Sequence, residues 1–537
     1  MVSLTSIVAK VTKAKGMHIV DVDLRTRSVT HNGISYEFDE LVAHVRPYQR
    51  MQCMCPCCKV KRPIYDHKAK HEVTWRGPDW AGMHITLLYQ PVRINCPVCG
   101  VKTEYIPWQD GDSHFLATFN NEVAYMALNT PKTVVAQFFG ISWETVGNCI
   151  KAVHSRLEPS VDSRLKGVRR IAVDETSYEK GHKYITVVYD LDKNQVIWLH
   201  KGHSEEVFSL FCEALDPEDM LNMEVVAGDG ARWIDSCKKR YFPNAIRCVD
   251  FFHIVSWITA AMDRVRIDAS NHAQEELERR SKEYENRKKQ MILQWKQMHK
   301  AYLEAQKLIS TNAHKRGRRS NELLAAIQLV DEFEKTYGKD STEDEIQLTE
   351  EQKEELDRLK VKAGDLKQSK YVFGKNPENL TQRQIDKLNL IRVSNEDVYR
   401  AYMLKEQLRA IVHMKDPDIA EAEIDNWKHD AEASGIAPFV ELAEKIGRHK
   451  ENILNAIRLQ VNSAKSEATN TTIKAIIIAA RGFRNLNNLY ALVYLRCSDL
   501  VVPLDNRYIP SRAEVRQARE LANMRRKERE ANNHNVA

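Results

Sequence analysis

The chain of 537 residues is 43% hydrophobic and 29% charged, a balance that excludes collagen-like, mucin-like and wholly disordered proteins and leaves room for three or four domains. Its longest aliphatic run, Ala475 to Ala480, has six residues against the roughly 20 needed to span a bilayer. Lys10, Lys13 and Lys15 fall where a signal peptide would be apolar, so neither secretion nor membrane insertion is expected. Net charge is only +6, but residues 1–170 carry 22 basic and 15 acidic residues and the last 31 carry eight and four. Both ends thus suit a polyanion, although Glu514, Glu520, Glu528 and Glu530 interleave with the cations of the tail as on a solvated face.

Residues 1 to about 45 read as a β-rich lead-in, with Ile34, Tyr36 and Phe38 on one face of a short strand. Six of eleven cysteines then fall within 47 residues. An odd total without a secretory signal favours a reducing compartment and metal ligation over disulfides. Cys55-Pro-Cys-Cys58 and Cys96-Pro-Val-Cys99 are two C-P-x-C turns 37 residues apart, each presenting two thiolates, which together make a tetrahedral zinc site. The zinc is expected to be structural, because four thiolates leave no open position for chemistry. Cys53, Cys57, His67 and His71 are spare donors, read as non-ligands. A β-hairpin bearing Val73, Trp75, Ile85, Leu87 and Val92 is expected between the turns.

From Asn129 to Leu157 the pattern is that of a helix-turn-helix. Val134, Val135 and Phe138 make one helical face, Gly140 supplies the turn, and Ser142 caps a second helix with Val146, Ile150 and Val153 inward. Trp143, Glu144, Thr145, Asn148 and Lys151 are the candidate DNA-reading residues. A basic stretch (Lys151, Arg156, Arg164, Lys166, Arg169, Arg170) follows.

The segment Arg169 to Asp174 predicts an apolar strand ending in acid. Strands at Tyr184–Asp190 and Gln195–His200, a helix at Glu205–Leu215, and a strand at Met223–Ala227 running into Asp229 come next. A helix through Lys239 and a fifth strand, Ala245–Val249, lead to Asp250-Phe-Phe-His253. Three hairpin strands followed by β-α-β, with acids at the ends of the first and fourth, match the ribonuclease H-like fold. Carboxylates so placed suit two hard divalent ions clamping a phosphate, magnesium or manganese, with Asp174 bridging and Asp229 holding one. The stretch from 256 to 460 reads as overwhelmingly helical, with no proline between Pro243 and Pro377, a run of 133 residues. Gln274 to Gln306, with Leu277, Tyr284, Met291, Ile292 and Trp295 at helical spacing, suits a hairpin arm. Lys315, Arg316, Arg318 and Arg319 read as a solvated interhelix loop, and Asp331 to Glu351, with nine acidic and two basic residues, as an exposed linker. Near the C-terminus Glu467, Asn470, Thr471 and Lys474 share a helical face, offering a third acid with an amide and an ammonium.

These segments together resemble the ISL-three family of bacterial insertion-sequence transposases over nearly the whole chain. The resemblance is carried by the paired C-P-x-C turns, Val173-Asp174-Glu175 with Lys180-Gly-His182-Lys-Tyr184, Val188-Tyr-Asp-Leu-Asp192, Asp229 and Asp250-Phe-Phe-His253. Lys375-Asn-Pro-Glu-Asn379-Leu, Ala401-Tyr402, Leu404-Lys405-Glu406, and Ser466-Glu467 through Gly482-Phe-Arg-Asn485 continue it. It implies a DDE transposase with Asp174, Asp229 and Glu467 as the triad holding two Mg²⁺ (or Mn²⁺) ions, and Asp250, His253, Asn470 and Lys474 in support.

The expected architecture is α+β and multidomain: a β-rich, zinc-binding N-terminal module (1–110), a helix-turn-helix region (111–165), and a ribonuclease H-like catalytic domain. That domain begins at 166–258, is interrupted by an all-helical insertion (259–455), and resumes at 456–500 before a basic tail (501–537). Expected partners are double-stranded DNA, as terminal inverted repeats and target, and further copies of the chain in a homo-oligomer, since two ends must be held together. The expected location is the bacterial cytoplasm, on the nucleoid. A catalytically inactive DNA-binding regulator and an end-independent nuclease on the same fold are the rival readings.

Overall fold

The computed structural model describes residues 3–31, 34–66, 71–158, 160, 162–312, 320–461, 464–480, 482–483, 485–505 and 507–534. The chain divides into two compact units, residues 1–250 with 461–537, and residues 251–460.

The first unit opens with a helix that the alternating pattern does not suggest. Ser3 caps α1 (Leu4–Thr12), accepting from the Ser6 N–H, and Val8 and Thr12 are buried. Long strands β1 (Met17–His31) and β2 (Ile34–Pro47) form an antiparallel hairpin. After β3 (Ile64–Asp66), the strands β4 (Val73–Arg76) and β5 (His84–Tyr89) pair with each other as expected. They lie between the cysteine turns in the chain, with Val92 outside both strands, and β5 also runs parallel to β2, which completes a sheet of order β1-β2-β5-β4. Trp75, Ile85 and Leu87 pack there with Leu41, Val8 and Trp108 in one core. The cysteines belong to a second sheet, β3-β6-β7, with β6 (Arg93–Cys96) and β7 (Gly100–Thr103) joined by the Cys96–Cys99 turn.

Three helices follow: α2 (Ala117–Ala127), α3 (Lys132–Phe139) and α4 (Trp143–Leu157). A short α5 (Asp162–Leu165) leads into strands β8 (Arg170–Glu179), β9 (Lys183–Asp190) and β10 (Gln195–Lys201). Then come α6 (Glu205–Glu213), α7 (Pro217–Leu221), β11 (Val225–Gly228), α8 (Arg232–Tyr241) and β12 (Ile246–Val249). The five strands form one sheet in the order β10-β9-β8-β11-β12. β8–β9 and β9–β10 are antiparallel; β8–β11 and β11–β12 are parallel. Alternation along β8 sorts its side chains by face: Ile171 and Val173 enter a core with Phe208, Phe211 and Ile234 of α6 and α8, leaving Ala172, Asp174 and Thr176 for the opposite face.

Among the described residues the second unit is helical: α9 (Phe251–Asn312), α10 (Asn321–Tyr337), α11 (Glu350–Gln368), α12 (Lys370–Phe373), α13 (Gln382–Ser394), α14 (Glu396–Ile411), α15 (Pro417–Ala433) and α16 (Ala437–Arg458). With 62 residues, α9 runs about 93 Å at 1.5 Å per residue. Its distal half packs with α10 and the segment after it through Trp295, Tyr302, Phe333 and Ile346. Phe333 is fully buried and Ile346 nearly so, hence Asp331 to Glu351 is not a linker: two apolar anchors fasten an otherwise acidic segment. Met291, one of the residues at helical spacing along this arm, is half exposed. The Lys315–Arg319 patch lies outside the described residues.

The chain then returns to the first unit with α17 (Ala464–Ala479), which packs on β8, and α18 (Leu486–Cys497), which packs on β10 and α4. The tail forms α19 (Arg512–His534). No helix among the described residues is long and apolar enough to cross a membrane.

Candidate active site and metal centre

The parallel β8–β11 pair sets the geometry of the acids. Val173 is in register with Gly228, and Gly228 with Val249, so Asp174, Asp229 and Asp250 each stand one residue further along three adjacent strands. Gly228 is required by closeness: a Cβ there would lie 3.0 Å from the Val173 carbonyl oxygen and 2.9 Å from Ile234 Cδ1. The loop beyond is fixed from two sides. The Ala231 N–H donates to Asp229 Oδ1 at 2.9 Å, and the buried Arg247, paired with Asp235 at 2.8 Å, donates to the Asp229 and Cys248 carbonyl oxygens. Asp174 Oδ1 accepts from the Glu175 N–H at 2.7 Å, and its Oδ2 accepts from the Asn470 amide of α17.

Glu467 lies one turn before Asn470 on α17 and is exposed, as are Thr471 and Lys474, whereas Asn470 is buried with Ser466, Thr469 and Ile473. The expected single stripe is therefore divided: the sheet takes the amide, and solvent takes the acid and the ammonium. Among the described residues the three acids do not bring their oxygens within 4.8 Å of one another. Asp250 closes the first unit, while His253 stands in the first turn of α9 in the second.

A fourth carboxylate enters here. Burial, reinforced by the charges of Asp229 and Asp174, pushes the Glu175 carboxyl up to about 7. Its adjacency to Asp174 is visible in the sequence, but not its half-buried setting. Thr176 and Tyr189, which both donate to Asn470 Oδ1, carry no local signal.

The four cysteines are drawn together far more tightly. Sγ atoms of Cys55, Cys58, Cys96 and Cys99 all lie within 4.8 Å of one another, and Cys58 Sγ is 3.7 Å from Cys96 Sγ. That separation matches the edge of a tetrahedron with metal–sulfur bonds of about 2.3 Å. Burial would push the Cys96 thiol up, but the N–H groups of Cys99 and Val98 outweigh it and bring it down to about 6, while burial and the Cys55 and Cys96 thiols push Cys99 up to about 12. Such crowding of sulfurs suits a shared cation. Glu104, buried, ties this knuckle to the first sheet by accepting from the Cys53 N–H (2.8 Å), the Val92 N–H (3.0 Å) and the Tyr89 hydroxyl (2.6 Å). Cys53 and His71 lie outside the cluster and Cys57 is exposed; His67 is outside the described residues. All eleven cysteines are free of disulfides.

Between α3 and α4, Gly140 adopts φ +62° and closes α3, and the Ser142 hydroxyl accepts from the Thr145 N–H at 3.1 Å. The buried face of α3 is Val135, Ala136 and Phe139, while Val134 and Phe138 are exposed, one position away from the expected face. On α4, Val146, Cys149, Ile150 and Val153 are buried; Trp143, Glu144 and Asn148 are exposed, with Thr145 and Lys151 half-buried. The following basic stretch is largely engaged within the fold. Arg156 pairs with Asp110, Arg164 with Glu158 at 2.7 Å, Arg169 with Glu224 at 3.1 Å and Arg170 with Asp192 at 3.4 Å. The inner side of α4 meets α18 so closely that a Cβ on Gly147 would lie 2.7 Å from Asn488 Nδ2. His154 also stacks on Tyr494, ring centres 5.3 Å apart.

Sequence comparison defines the class to which this arrangement belongs. A family profile described as transposase matches residues 171–360 and 344–493, from β8 to α18. The chain belongs to the ISL-three family of insertion-sequence transposases. It is 31% identical over 483 residues, 89% of its length and 94% of the relative's, to the transposase for insertion sequence element IS1557 of Mycobacterium tuberculosis. To the transposase for insertion sequence element IS1001 of Bordetella parapertussis it is 23% identical over 396 residues, covering 73% of this chain and 76% of that one.

Proposed function

We propose that the protein is a DDE transposase that binds the terminal inverted repeats of an insertion sequence, cuts DNA at those ends and joins the freed ends to a target. The observation that carries this reading is the parallel β8–β11 pair, which sets Asp174 beside Asp229, with α17 packed over β8 and Glu467 one turn from the amide that holds Asp174. Two magnesium or manganese ions held by Asp174, Asp229 and Glu467 would supply Lewis-acid activation of water and stabilisation of the leaving oxygen.

The protein's own part is to fix those oxygens beforehand. The Glu175 N–H and Asn470 orient Asp174, and the Ala231 N–H and Arg247 orient the Asp229 loop. No serine or tyrosine nucleophile is needed. The four cysteines hold structural zinc; the α3–α4 helix-turn-helix presents Trp143, Glu144, Thr145, Asn148 and Lys151 to DNA; Asp250, His253 and Lys474 assist near phosphate. The protein works as a homo-oligomer holding two ends, in the cytoplasm on nucleoid DNA.

The test is magnesium-dependent cleavage of a duplex carrying the element's end, challenged with excess unrelated DNA. Cutting that resists the competitor supports the transposase. Cutting abolished by it points to an end-independent nuclease, and end binding without cutting points to a regulatory protein.

A further inference from the structure

The Asn470 side chain is nearly sealed from solvent, at 5% exposure, and so are Thr176 at 1% and Tyr189 at 3%. A carboxamide has an accepting oxygen and a donating nitrogen. An ionised carboxylate only accepts, so Asp174 Oδ2 dictates that Nδ2 face it. Oδ1 must then face the two hydroxyls, and each has to donate: Thr176 Oγ1 at 3.1 Å, and the Tyr189 hydroxyl. Burial and the nearby Asp174 charge hold the Tyr189 phenol well above its usual range, which keeps it a donor. Asp174 Oδ1 accepts from the Glu175 N–H; a carboxylate oxygen has more than one lone pair, so accepting an N–H does not debar it from a cation. These four side chains come from β8, β9 and α17, as much as 296 residues apart in the chain.

We propose that Thr176 and Tyr189 are positioning residues: through Asn470 they set the rotamer of Asp174 and lock α17, with Glu467 one turn away, against the sheet. The proposal rests on Asp174 being a metal-holding carboxylate. Both residues are buried and reach Asp174 through Asn470; loss of either hydroxyl leaves part of the Asn470 oxygen unpaired in a buried setting and frees the amide to turn.

The test is Mn²⁺ binding to the full chain without DNA, followed by electron paramagnetic resonance, in Tyr189→Phe, Thr176→Val, Thr176→Ser and Asp174→Asn. Tyr189→Phe and Thr176→Val are expected to raise the half-saturating Mn²⁺ concentration about tenfold. Thr176→Ser, which restores a hydroxyl, brings it back toward that of the unaltered protein. Cleavage of end-containing DNA by Tyr189→Phe recovers at saturating Mn²⁺. Unchanged half-saturation in both Tyr189→Phe and Thr176→Val, with Asp174→Asn losing the ion, overturns the positioning role alone. Undiminished binding by Asp174→Asn overturns the site reading and the proposal with it. If Tyr189→Phe does not fold, the Val–Ser contrast at Thr176 decides.

Discussion

The cysteine knuckle and the acid site are two ways of assembling polar ligands. Four sulfurs are delivered by two tight turns and lie within 4.8 Å of one another. The acids come from β8, the end of β11 and α17, and among the described residues they do not close to that distance. Turn geometry fixes thiols locally, and backbone N–H groups offset their charge. Carboxylates on separate elements repel one another, and here one of them, Asp174, is held by a buried amide from α17. A centre built from turns is fixed by neighbours in the chain, while one built from three distant elements depends on the packing of α17 against the sheet.

The comparison predicts unequal failures. The largest effect is expected from Cys96→Ser, which removes a sulfur from a finished tetrahedron. It should abolish bound zinc and cost on the order of 5 kcal/mol of local stability, read as proteolysis within residues 53–104 and loss of end binding. Retention of zinc and of protease resistance would break the contrast. Asp174→Asn is expected to lower cleavage at least about 10³-fold, some 4 kcal/mol, with the fold and end binding intact in melting and gel-shift measurements. Gly147→Val should destabilise the first unit by about 2 kcal/mol through overpacking against Asn488, partly relieved by adding Asn488→Ala in a double-mutant cycle.

The smallest effect sharpens the electrostatic half of the comparison. Because the folded state raises the Glu175 carboxyl to about 7 from its ordinary value of 4.5, it binds a proton there that the unfolded chain has released. Stability therefore falls as pH rises through that window. Glu175→Gln should melt like the parent at pH 4.5 and be more stable at pH 7.5 by about 1 kcal/mol, after allowance for solvent screening. Identical melting curves at both pH values would show that the carboxyl is not strained.

What could be read in advance was whatever short-range pattern encodes. The C-P-x-C turns and the strands around Asp174 and Asp229 are written in adjacent residues. The parity that sends Val173 to one face and Asp174 to the other is written there too. The pairing of β5 with β2 depends on a parallel alignment that no local period specifies. Helical spacing placed Asn470 on the same stripe as Glu467 and Lys474, but which edge of the stripe faces the sheet is decided by Thr176 and Tyr189, 294 and 281 residues away. Charge counting failed at Asp331–Glu351 because two apolar anchors, Phe333 and Ile346, fasten the acids around them. It also overstated the free cations after α4, where Arg156, Arg164, Arg169 and Arg170 have intramolecular acids waiting.

The seam between α4 and α18 leaves less than a methyl group's room at Gly147, and α18 in turn rests on β10 of the sheet that carries Asp174. Helix and sheet are therefore one caliper rather than two beads on a string. On the proposed function, a duplex gripped by α4 would meet the acids at a fixed span. Inserting or deleting a few base pairs between the gripped sequence and the cut point should then abolish cutting without weakening the grip.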